Sequence, residues 1–83
     1  MHLVDMRSRI RSFISNTFFV DEFADGDSFL KTGIIDSTGM MELVAFLEQE
    51  LAIQISDTEL VPENLDSLDN LSRFLQRKRA RAA

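Results

Sequence analysis

The sequence predicts an all-α domain of four helices, the third of them short. Three observations lead there. Apolar residues recur at helical spacing in three long stretches. The one alternating run, Ile53-Gln54-Ile55, finds no partner strand elsewhere in the chain. The 83 residues allow one small core and no more.

Leu3, Met6, Ile10, Phe13, Ile14 and Phe18 place a first helix over 3–18, with Arg7 and Arg11 on another face. Asn16 and Thr17 weaken its last turn. From Asp21 to Asp36 the chain reads as a long loop, because Asp25-Gly26-Asp27-Ser28 is turn chemistry. A connection this long inside a small domain is functional or pinned down. Two apolar pairs, Phe29-Leu30 and Ile34-Ile35, are the expected pins, with Gly33 giving a sharp bend between them.

The second helix is expected over 37–51, its free N–H groups capped by Asp36 or Ser37. Met40, Leu43, Val44, Leu47 and Leu51 form its core stripe. Thr38, Met41, Glu42, Ala45, Glu48 and Gln49 form an outward face that is acidic yet partly apolar, suited to transient docking. Ile53 to Ile55 reads as an extended loop, and Ser56-Asp57 opens a turn. Pro62 starts a short helix over 62–65, since proline is tolerated at a first helical position. Asp66 or Ser67 caps a last helix with Leu68, Leu71, Phe74 and Leu75 on one face. Its cations, Arg73 to Arg79, lie towards the C-terminal end, where the helix dipole favours them. Residues 1–79 are expected to be one domain and 80–83 a flexible tail.

Composition removes several classes of function. The chain has no cysteine, which excludes disulfides, thiolate metal sites and a thiol nucleophile of its own. That fits a reducing, cytoplasmic setting. No apolar run approaches the ~20 residues needed to span a bilayer. The N-terminus lacks the apolar stretch of a secretory signal. Arg7, Arg9 and Arg11 read as the polar face of the first helix rather than as a transit peptide.

The net charge is −5. Between Lys31 and Arg73 there is no lysine or arginine, while Asp36, Glu42, Glu48, Glu50, Asp57, Glu59, Glu63, Asp66 and Asp69 fall in that gap. Such a segment repels nucleic acid and attracts basic protein surfaces. Any one of these acids is most simply a solvated side chain. The unbroken one-sign run around Ser37 is less easily explained that way.

Asp-Ser occurs three times, at Asp27-Ser28, Asp36-Ser37 and Asp66-Ser67, so the dipeptide by itself means only a turn or an N-cap. Context separates the three. Only Ser37 joins the long pinned loop to a helix with an acidic outward face. As a catalytic nucleophile it would need a positioned base and an oxyanion hole. The one histidine, His2, sits at a terminus expected to be mobile. Gly33 and Gly39 lack the Gly-Lys-Ser/Thr ending of a phosphate-cradling loop. No spacing resembles a calcium loop, and metal binding by the acids alone would be weak. A phosphodiester on Ser37 is acceptable at a helix N-terminus, and the flanking acids would push the attached group outward.

These residues resemble the acyl carrier protein family over nearly the whole chain. The likeness is carried by Asp36-Ser37, by Asp27-Ser28-Phe29-Leu30 and Gly33-Ile34-Ile35 before it, by Glu42-Leu43-Val44 after it, and by Pro62-Glu63-Asn64-Leu65-Asp66-Ser67-Leu68. The resemblance implies a four-helix bundle with a long loop between helices 1 and 2. It implies 4′-phosphopantetheine from coenzyme A on Ser37, installed by a separate phosphopantetheinyl transferase that recognises Asp36. The arm's thiol would carry an acyl or aminoacyl thioester, and the chain itself would not be an enzyme. Thr38, Met41, Glu42, Ala45 and Glu48 would form the docking face for a loading ligase and for acyl-transfer enzymes with basic patches. Where the family commonly has Leu after the serine, this chain has Thr38, which weakens a greasy contact offered to partners and points to a specialised carrier rather than the housekeeping fatty-acid carrier. With no flanking linker in the sequence and nothing that demands more than a monomer, the expectation is a stand-alone carrier whose partners act in trans. The reading from another class is a helical adaptor that binds a basic partner and carries no prosthetic group.

Overall fold

The computed structural model describes residues 3–82, and the side chains of 6–79. Helix α1 is Leu3–Phe18, α2 Phe29–Thr32, α3 Ser37–Leu51, α4 Pro62–Leu65 and α5 Leu68–Ala82, with a 3-10 turn at Asp57–Glu59. No strand occurs among the described residues. The long helices fall where the apolar spacing puts them. Ile10 and Ile14 from α1, Leu43 and Leu47 from α3, and Leu68, Leu71 and Leu75 from α5 meet in one core and are almost wholly buried. Burying each such side chain is worth ~1.5–3 kcal/mol, which is what holds helices of these lengths together.

The segment read as an unbroken loop contains α2. Four residues cannot show a helical period, yet both ends are capped. Ser28 Oγ accepts the Lys31 N–H, and Gly33 closes the turn in the left-handed region at φ 78°. Of the four expected pins, Phe29 and Ile35 are fully buried and Ile34 packs against the core. Leu30 departs from that expectation and stands exposed, because the short helix turns it away from Phe29.

Charge fixes the rest of this connection. Phe23 is buried, and the Arg11 guanidinium lies 4.3 Å above its ring while donating to its carbonyl at 2.7 Å. Arg11 also pairs with Asp25. Arg7 reaches Asp25 at 2.7 Å and Asp69 at 3.0 Å. Hydrogen bonding to Asp69, reinforced by Asp25, holds the Arg7 proton more firmly than usual, against an opposing effect of burial. The arginine face of α1 is therefore a clasp joining loop, α1 and α5. A second clasp is Asp66. It accepts the Phe29 N–H on its carbonyl at 2.8 Å, the Leu30 N–H on its carboxylate at 2.9 Å, and the Ser28 hydroxyl.

Two long helices end without glycine. Phe19 follows α1 at φ 57°, and the Val20 N–H returns to the Ser15 carbonyl at 3.2 Å. This is the six-to-one closure that most helices make with glycine at the left-handed position. A side chain there costs ~1–2 kcal/mol. Ala52 plays the same part after α3 at φ 53°. Ser67 Oγ caps α5 by accepting the Asn70 N–H, so of the two candidate caps it is Ser67 that serves. The helix backbone continues to Ala82, and Met1, His2 and Ala83 lie outside the described residues.

Candidate functional site

Ser37 is the first residue of α3 and is exposed. Its setting is built from both sides. Asp36 before it is extended, at φ −89° and ψ −177°, and its carboxylate accepts the Gly39 N–H at 2.7 Å. The Asp36 carbonyl accepts the Met40 N–H at 2.9 Å, the first bond of the helix. Asp36, not Ser37, is thus the cap, and among the described residues the serine hydroxyl has no hydrogen-bond partner.

Gly39 holds the turn in place. It is buried, and a Cβ on it would stand 2.7 Å from Phe18 Cε1, 3.1 Å from Ile35 Cγ2 and 3.2 Å from Asp36 Oδ1. The end of α1 is packed onto the first turn of α3 by the absence of a side chain. Ile35 two residues before the serine and Gly39 two residues after it both face inward. Between them Asp36, Ser37 and Thr38 face solvent.

The other Asp-Ser serines are committed internally. Ser28 is half-buried between Lys31 and Asp66, and Ser67 is 5% exposed beneath its cap bond. Thr38, Met41, Glu42 and Ala45 are all exposed along α3, as the outward face requires. Glu48 differs. It is half-buried, and its Oε2 accepts the Ile55 N–H at 2.9 Å, bracing the chain after α3. Among the described residues no cluster of carboxylates is placed to hold a metal ion, and no helix is long and apolar enough to cross a membrane.

Two features of this end escaped the sequence. Gly39 signals itself only as a lone glycine in a helical pattern, which marks close approach by a neighbour without naming it. The pair Phe18-Phe19 gives no sign of which ring packs and which does not.

The chemistry offered here is that of a tether point, an exposed primary hydroxyl on a rigid helical turn. The positive end of the α3 dipole tolerates a phosphodiester at this position. The model of one protein family, described as the phosphopantetheine attachment site, matches residues 8–75, from the first turns of α1 well into α5. No curated protein matches the sequence. Members of that family carry covalently attached 4′-phosphopantetheine, and their carrier domains are in general non-catalytic.

Proposed function

The chain belongs to the phosphopantetheine attachment site family, and on that premise we propose that Ser37 is the attachment residue of a carrier of acyl or aminoacyl groups. One observation supports this above the rest. Of the three serines that follow an aspartate, only Ser37 is exposed, and it opens a long helix whose outward face carries acid.

Each residue has a part in that reading. A phosphopantetheinyl transferase forms the phosphodiester as Ser37 Oγ, losing its proton, attacks the pantetheine-side phosphorus of coenzyme A; the diphosphate P–O bond breaks and adenosine 3′,5′-bisphosphate leaves. Asp36 contributes the rigid cap and a charge for the transferase to recognise. Gly39 and Phe18 keep the first turn from swinging. When bound, the arm supplies the thiol that this cysteine-free chain lacks, holding cargo as a thioester. Asp36 and Glu42 repel the phosphate and keep it away from the helix surface. Thr38, Met41, Glu42 and Ala45 offer a charged, partly apolar face to a loading ligase and acyl-transfer enzymes with basic patches, which favours fast and weak exchange.

The test is intact mass after incubation with coenzyme A and a promiscuous phosphopantetheinyl transferase. A gain of one phosphopantetheine, abolished by Ser37→Ala, is the expected result. An unchanged mass for the wild-type chain sinks the proposal and favours an adaptor without prosthetic group.

A further inference from the structure

Phe19 combines two unfavourable properties that one residue rarely shows together. Its backbone sits at φ 57°, where a bulky side chain is strained, and the residue is 91% exposed. The strained turn closes α1, but that needs no phenylalanine, and no contact repays the exposed side chain. Phe18 before it packs on Gly39, and Val20 after it packs against the core. A glycine or asparagine would close α1 with less strain and no exposed apolar surface. Exposed apolar residues scattered singly are ordinary, but strain at the same position is not.

Position gives the clue to its use. Phe18 touches the first turn of α3, so Phe19 lies at the same end of the bundle as Ser37. Asp21 and Glu22, both exposed, follow it after Val20. An aromatic ring beside two acids calls for an apolar socket with a basic rim. Enzymes that work at the far end of a flexible arm can keep to the outer face of α3 and need not reach round to the end of α1. An enzyme whose reacting atom is the Ser37 hydroxyl itself must do so.

We infer that Phe19 is an anchor residue for the phosphopantetheinyl transferase, seating its ring in an apolar, lysine- or arginine-rimmed socket while Ser37 enters the transferase site. This rests on the carrier reading above. The ring docks outside the acidic face of α3 and adds affinity without touching the reacting atoms.

The experiment is steady-state loading from coenzyme A by a promiscuous transferase, using wild type, Phe19→Gly, Phe19→Asn and Phe19→Leu, with thermal melts of each. Glycine and asparagine both fit the left-handed backbone, so both variants should melt at or above the wild-type temperature. Their KM for the carrier should rise roughly five- to tenfold with kcat nearly constant, as for loss of a buried aromatic anchor. Phe19→Leu should recover most of the affinity. An unchanged KM in the glycine and asparagine variants overturns the inference while leaving the carrier reading intact. So does a leucine variant as weak as glycine, or a wild-type dimer in sedimentation that Phe19→Gly dissolves. Failure of wild type to be loaded at all removes both readings together.

Discussion

Phe18 and Gly39 meet so closely that the helix end and the helix start they belong to behave as one rigid corner. A Cβ at position 39 would come within 2.7 Å of the Phe18 ring and 3.2 Å of the Asp36 carboxylate that caps the turn. Gly39→Ala gains ~1 kcal/mol of helix propensity. Overpacking costs ~1–3 kcal/mol and should win, since Phe18, Ile35 and Asp36 must all give way. The expected outcome is a lower melting temperature with slower loading of Ser37. A variant that melts higher than wild type would show that the ring moves aside freely.

Asp36 has two separable duties. Asp36→Ala removes the cap and should destabilise by ~1 kcal/mol. Asp36→Asn keeps an oxygen for the Gly39 N–H and should melt like wild type. If the charge serves transferase recognition, the asparagine variant loads more slowly despite its normal stability. Equal loading of asparagine and wild type would confine Asp36 to capping.

Glu42 and Glu48 both read as outward acids of α3 but should fail differently. Glu42 is exposed and makes no demand on the fold, so Glu42→Lys should raise the transferase KM several-fold, less so at high salt. Glu48→Gln weakens the bond to the Ile55 N–H and should lower stability by about 1 kcal/mol, with little effect on loading. Melting curves and loading rates measured side by side separate the two. Glu42→Lys loading at the wild-type rate would remove the acidic face from docking.

Glu59 predicts a pH dependence. Its carboxylate accepts the Ser56 N–H at 2.9 Å and pairs with Lys78 at 2.9 Å. The Ser56 N–H, then Lys78, hold its pKa below the usual 4.5. A depressed folded pKa means that the stabilisation is full above the ordinary carboxylate range and lost as pH falls through the folded value. Glu59→Gln should therefore melt lower than wild type at pH 7, by the equivalent of ~1 kcal/mol for a half-buried pair. The gap should close in acid. A gap that is constant from pH 7 to about pH 3 would contradict this linkage.

Sequence alone shows the parts of this protein governed by local repetition. Leu43 and Leu47, or Leu68 and Leu75, recur at a helix period, and Pro62 marks the start of its own short helix. The exposed serine was legible because a long loop with buried pairs led into an amphipathic helix. What was not legible depends on residues far apart in the chain. Asp66 reads as a cap and serves instead as the partner of Ser28 and Leu30. Arg7 and Arg11 read as a solvated face and close on Asp25. Helix α2 is too short for any period, and Glu48 reads as surface until Ile55 is seen to donate to it. Phe19 next to Phe18 shows no difference in sequence, and only the turn geometry turns one ring out and the other in.

The Asp66 clasp has a kinetic consequence. The amides of Phe29 and Leu30 sit in a surface turn, which by itself would exchange hydrogen with solvent quickly. Because both are given to a residue at the threshold of the last helix, their exchange should follow the opening of that helix rather than local fraying. The end of the molecule that presents Ser37 would then soften only when the C-terminal helix lets go. Deuterium uptake slowed in concert across positions 29, 30 and the last helix would be its signature.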